Sequence, residues 1–152
     1  MSVHFTIEEF TYSETANGLC ISNNIPEDLL TNAYKTIAVL ENIRALLSDI
    51  RGKDIAMDIR SGYRSPDLNN AVGGKVKSDH VTALACDFVA PSFGSPFDVC
   101  RAILPHIDNL GIGQIIHEYG RWVHVGLPKP ALEINRVITI SNSGTKPGIN
   151  AV

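Results

Sequence analysis

Ser78-Asp79-His80-Val81-Thr82-Ala83-Leu84-Ala85-Cys86-Asp87-Phe88 places a histidine and an aspartate with six residues between them, ahead of and within a run from Leu84 to Ala90 that reads as a strand. Neutral imidazole and carboxylate together suit zinc, and a catalytic zinc takes three protein ligands and keeps the fourth position for water. A third ligand is therefore required. The best candidate is His124, in the alternating run Arg121-Trp122-Val123-His124-Val125-Gly126. Taken alone, the His-x6-Asp pair is a weak signal and reads first as a buried histidine and a strand-end aspartate. Three neighbours shift the reading towards a metal site: Ser61-Gly62-Tyr63-Arg64-Ser65-Pro66 upstream, Glu118 ahead of the third ligand, and the run from Trp122 to Val125.

Working outward, residues 55–59 alternate like a half-buried strand and deliver Ser61 to Pro66, with Gly62 permitting a sharp turn at the strand exit. Arg64 can lean from that exit into a cleft and bind a carboxylate through two parallel hydrogen bonds; a plain surface charge is the competing reading. Ser65-Pro66 is an N-cap and first helical position, so a short helix runs to Ala71 or Val72. The loop to Ser78 follows, and Ser78 either bonds near the ligand loop or caps a turn.

Pro26, acidic residues in the next turn, and an apolar stripe through Leu29, Ala33, Ile37, Leu40, Leu47 and Ile50 predict a long scaffold helix over 26–50. Ser95-Pro96 starts another helix, lined by Val99, Cys100 and Ile103, that stops before Pro105. Residues 112–118 and 122–127 read as a hairpin around Tyr119-Gly120-Arg121. A three-residue loop sets Glu118 opposite Trp122 on the face of His124, whereas a two-residue loop gives that place to His117. One residue of slip thus exchanges the candidate general base. A last strand is expected over 136–140. Residues 1–25 read as an extended, turn-rich arm and 141–152 as a loose tail, within one domain spanning 1–152. The interspersed short strands and helices indicate an α+β fold, with helices packed on a mostly antiparallel sheet.

At 152 residues, with 44% apolar and 19% charged residues and a formal net charge of -3, the chain has the composition of a soluble globular domain. The charge argues against a nucleic-acid partner, and no apolar run approaches the ~20 residues that span a bilayer. No obligate protein partner is evident. Met1 to Thr6 lacks the basic and apolar regions of a secretory signal, so synthesis and retention in the cytoplasm are expected. Cys20, Cys86 and Cys100 have no metal or redox spacing and read as reduced. Strand alternation turns Cys86 to the core and Asp87 to the site.

These motifs resemble the M15 zinc peptidases, the D-alanyl-D-alanine carboxypeptidase and phage endolysin group, most closely its small phage-type members. The family pattern Ser-x-His-x-x-Gly-x-Ala-x-Asp is carried by Ser78, His80, Ala83 in place of Gly, Ala85 and Asp87. Ser-Gly-Tyr-Arg-Ser falls on residues 61–65 and Trp-Val-His-Val on residues 122–125, so the resemblance spans roughly 4–136. It implies a hedgehog/DD-peptidase-like fold with zinc on the open face, held by His80, Asp87 and His124. Glu118 is then the catalytic base, with Arg64, Ser78 and Trp122 turned to the substrate. Related branches place the base three residues before the last histidine, where this chain has Arg121. The implied activity is cleavage of peptidoglycan stem peptides or crosslinks, as a carboxypeptidase or endopeptidase, by a phage-encoded protein. Such a protein acts on the cell wall after lysis-type release or as a virion component. The alternative is a catalytically silent, zinc-stabilised structural or cell-wall-binding module on the same fold. If the position of Ala83 needs a positive φ, its Cβ costs on the order of 1 kcal/mol.

Overall fold

Apolar residues alternate along three neighbouring strands, and that alternation splits one sheet into a core face and a site face. The computed structural model describes residues 2–129 and 136–152. Among these, six strands form a single sheet: β1 (Asp58–Ser61), β2 (Ala85–Val89), β3 (Gln114–Glu118), β4 (Trp122–Gly126), β5 (Val137–Ser141) and β6 (Gly144–Pro147), in the spatial order β1-β2-β4-β3-β5-β6. All neighbours are antiparallel except β3 and β5. The α+β architecture with a mostly antiparallel sheet is the one expected.

Cys86 and Phe88 of β2, Ile115 of β3, and Val123 and Val125 of β4 point into the main core. There they meet Ile37, Leu40, Ile43 and Leu47 of the helix α3 (Leu30–Arg51) and Val99 and Ile103 of the helix α5 (Pro96–Ile103). The alternate residues, Asp87, Glu118, Trp122 and His124, lie on the other face. Cys86 therefore packs and Asp87 faces the site, as the alternation predicts.

The long helix forms where the apolar stripe places it, after a single 3-10 turn at Glu27–Leu29. It ends at Gly52, which takes φ +66, while the Lys53 N–H returns to the Ser48 carbonyl. The helix α4 (Pro66–Ala71) carries the Ser65 cap, and Ser95 caps α5 through a reciprocal bond with Asp98. Pro105 lies in a separate 3-10 turn, Leu104–His106, beyond the end of α5.

Two expectations are corrected. The supposedly extended arm contains two helical turns, α1 (Ile7–Thr11) and α2 (Glu14–Gly18). Thr6 and Glu9 form a capping box for the first and Ser13 caps the second, a local device that outweighs the turn-like composition. Phe10, on α1, is fully buried in the core. The supposedly loose tail is hydrogen-bonded: β6 pairs with β5, the Thr139 hydroxyl donates to the Gly148 carbonyl, and the Asn150 N–H donates to that hydroxyl. The strand expected at 55–59 pairs from Asp58 onward, with Ile55 and Met57 buried ahead of it.

The N-terminus is tied to α3 through one carboxylate. Glu41 accepts from the Ser2 hydroxyl, the Val3 N–H at 2.9 Å, the His4 N–H at 2.7 Å and the His4 ring Nδ1 at 2.7 Å. Burial pushes the Glu41 pKa up, but the bonds from Ser2 and His4 outweigh it and hold it at about 2. A depressed carboxylate contributes stability above its unfolded pKa and loses it as pH falls towards the folded value. Glu41→Gln should therefore cost about 1 kcal/mol at pH 7, discounted for solvent screening. In thermal melts followed by circular dichroism, the gap from wild type should narrow below about pH 4.5 and close near pH 2.

Candidate metal centre and its cleft

Asp87 and His124 stand directly opposite each other on β2 and β4, two adjacent strands, so both project from the site face at the same height. His80 reaches them from the loop before β2. Two backbone approaches position that loop. The Arg64 N–H donates to the His80 carbonyl at 3.1 Å, and the Gly62 carbonyl lies 2.7 Å from His80 Nδ1. Gly62 is required there, because a Cβ would fall 2.1 Å from the Phe10 carbonyl oxygen. The loop closes at Ala83, whose φ is +60, the left-handed conformation that the glycine of the motif would supply. Its carbonyl accepts a 2.7 Å bond from the Thr36 hydroxyl of α3.

The contact with Gly62 makes Nδ1 of His80 the protonated nitrogen and leaves Nε2 as the free donor atom. That Nε2 is 3.4 Å from Asp87 Oδ2, and His124 Nδ1 is 2.8 Å from Asp87 Oδ1. All three residues are buried, at 3%, 5% and 8% exposure, and their ligand atoms lie within 4.8 Å of one another. Two imidazoles and a carboxylate converging this closely fit one borderline cation with N and O bonds near 2.0–2.2 Å. His80, Asp87 and His124 could thus hold a metal ion together.

Electrostatics support that role. Burial works to raise the Asp87 pKa, but the two histidines outweigh it and hold the carboxyl well below the usual range. Asp87 therefore stays ionised. Burial works to lower His124, but the Asp87 hydrogen bond and charge, with Glu118 and Asp79, raise it. Glu118 lies 3.9 Å from His124 Nδ1, and burial and the Asp87 charge raise its pKa against the pull of His124 and Arg64. It is a carboxylate held more basic than usual beside the His80, Asp87 and His124 group.

The hairpin register separates the two candidate bases. Glu118 pairs with Trp122 across the three-residue turn Tyr119-Gly120-Arg121, on the face of His124. His117 points the other way, against Phe97, with Nδ1 2.8 Å from the Asn150 carbonyl. Arg121 lies in the turn, its N–H bonded to the Glu118 carbonyl. Arg64 reaches Asp87 Oδ2 at 3.3 Å, Ser61 Oγ at 2.9 Å and Asn69 Oδ1 at 3.5 Å. Trp122 and Arg64 line a cleft of about 220 Å³ that runs to Asp87. Ser78 is not among the residues lining it; its hydroxyl accepts from the His80 N–H at 3.3 Å, a bond within the loop that carries His80.

Sequence reading missed Asn69, Thr36 and Asp79. Asn69 joins Arg64 to the Lys75 carbonyl at 2.9 Å, with Gly74 packed so close that a Cβ would sit 2.0 Å from Asn69 Oδ1. Asp79 pairs with Lys129. Gly73-Gly74 after a short helix was the one available signal for the Asn69 contact.

With this geometry in place, residues 3–126 match the family described as Peptidase M15. The chain belongs to the peptidase M15 family. A search of the curated proteins finds none that matches it. Membership makes this chain a metallopeptidase by family, and His80, Asp87 and His124 are a group that could hold its metal ion. No helix among the described residues is long and apolar enough to cross a membrane.

Thr36 bolts the ligand loop of this M15 peptidase to its core helix. Thr36→Val keeps the shape but leaves the buried Ala83 carbonyl without its donor, which should cost about 1–3 kcal/mol in urea unfolding of the metal-free protein.

Proposed function

We propose that this M15 peptidase is a zinc enzyme that cleaves peptidoglycan stem peptides or their crosslinks, as a carboxypeptidase or an endopeptidase, on a hedgehog/DD-peptidase-like fold. The observation that carries this reading is the placement of Glu118 and Arg64 on either side of the buried His80, Asp87 and His124 group. Zinc, when bound, supplies a Lewis acid and lowers the pKa of its water from about 15.7 to near 7. Asp87 and the two histidines hold it, and their burial keeps bulk water from the ligands.

Glu118 is the general base: its carboxylate takes the proton of the attacking water and delivers it to the leaving amine nitrogen. Its raised pKa suits both halves of that transfer. Arg64 commits three of its nitrogens to Ser61, Asn69 and Asp87, which fixes the plane of its guanidinium. Two of its five N–H donors remain for a substrate carboxylate or the developing oxyanion. Trp122 forms the wall along which the peptide lies. The wall-directed substrate fits a phage-encoded protein that reaches it after lysis-type release or as part of a virion.

The test combines zinc content with amino-group release from purified peptidoglycan. Wild type should hold about one zinc and cut, and His80→Ala should lose both. Glu118→Gln should keep the metal and lose roughly 10²–10⁴-fold in kcat. Zinc retained by wild type without any cleavage would instead favour the structural, cell-wall-binding module.

The pH profile supplies a further check. Glu118 works deprotonated, so kcat/KM should fall as pH drops through its pKa, with the acid limb above the ordinary carboxylate value of 4.5. An acid limb at or below that value would remove Glu118 from the role.

A further inference from the structure

Strand β1 slips by one residue at the rim of the cleft. Ile59 pairs with Phe88 and Ser61 pairs with Asp87, so two steps along β1 answer one step along β2, and Arg60 is the extra residue. Such a bulge re-aims a side chain and is found next to active sites. Ile59 keeps its place against the core, while Arg60 and Ser61 both line the cleft that holds Arg64, Asp87 and Trp122. In a regular strand, Arg60 would alternate away from Ser61.

The two cleft arginines differ in what they already hold. Arg64 is tied to Ser61, Asn69 and Asp87. Arg60 is exposed, and among the described residues no hydrogen bond or ion pair engages its guanidinium. Among the described residues Asp87 is the one carboxylate lining the cleft, and its oxygens are taken up by Arg64, His80 and His124. The Arg60 end therefore carries an uncompensated, planar, bidentate cation. Leu68 and Val72 of the α4 region line the same cleft and would cover an aliphatic stretch of ligand.

We propose that Arg60 is a specificity-determining residue that binds a second carboxylate of an acidic peptide substrate, away from the bond being cut. This rests on the peptidase reading above. Arg64 serves the reacting end of the peptide, and Arg60 selects its acidic end. The carboxylate is either the peptide's own C-terminus or an acidic side chain.

Trp122 is the sole tryptophan of the chain and lines this cleft, so its fluorescence reports binding directly. The experiment titrates a zinc-loaded Glu118→Gln protein with three forms of one stem peptide: all carboxylates free, C-terminus amidated, and side-chain carboxylates amidated. Adding Arg60→Gln should weaken the free peptide about tenfold, the loss of one charge-assisted bidentate contact. It should leave one amidated form unaffected, and that form names the carboxylate that Arg60 holds. Arg60→Lys should recover part of the loss. Equal losses for all three peptides, no loss for any, or no binding of the free peptide to the Glu118→Gln protein would overturn the proposal. Binding that depends on Arg60, with a zinc-loaded wild type that hydrolyses none of the peptides, would remove the peptidase reading and leave the carboxylate site standing. Hydrolysis with no effect at Arg60 would do the reverse.

Discussion

The carboxylate of Asp87 is the constraint on which the rest of this structure depends. It is buried at the middle of the sheet, touches His124 through one oxygen, and meets both His80 and Arg64 through the other. A buried carboxylate is costly unless each oxygen has a charged or hydrogen-bonding partner. The chain supplies those partners from three separate segments: the exit of β1, the loop before β2, and the middle of β4. Each must arrive in register. A slip of one residue on β2 would turn Asp87 into the core and Cys86 onto the site.

The core enforces that register. Cys86, Phe88, Val123 and Val125 fill the space beneath α3 and α5, so the apolar face leaves the sheet no alternative pairing. The same helix α3 reaches through Thr36 to the carbonyl of Ala83 and steadies the left-handed turn that carries His80. α1 contributes from the other side. Its Phe10 carbonyl accepts the Tyr63 N–H and packs on Gly62, whose own carbonyl orients the His80 ring. Packing and chemistry are thus continuous: Thr36 of the core helix bonds the loop that carries His80 directly, and Phe10 of the N-terminal turn reaches it through Gly62 and Tyr63.

What could be read from the sequence follows from which signals are periodic. The shared face of Asp87 and His124 was legible because strand alternation separates Asp87 from Cys86 and His124 from its apolar neighbours, and His80 joins them from the loop before β2. The long helix was legible from its stripe. Glu118 and His117 could not be separated that way, because Ile115 and Ile116 are adjacent apolar residues and leave β3 without a strict alternation to fix its inward face. The turn decides between them: Tyr119 and Gly120 both take positive φ, and Arg121 completes a three-residue loop. α1 and α2, at five residues each, are too short for periodicity and are specified only by their caps. β6 has all four residues exposed, so no apolar pattern announced it, and backbone pairing to β5 alone makes it a strand.

The bulge at Arg60 escapes sequence reading for a deeper reason. Ile59 and Ser61 look like alternate residues of one regular strand, yet they serve opposite faces of the sheet: Ile59 packs on the core and Ser61 bonds Arg64 at the site. That is possible only if one residue between them drops out of register, and Arg60 is that residue. The irregularity comes from two demands at adjacent positions of a four-residue strand. The core needs Ile59 inward opposite Phe88, and the site needs Ser61 outward opposite Asp87. Resolving both brings a second guanidinium to the cleft beside the one that Asp87 already holds, so the sheet defect and the charge of the cleft have a common origin.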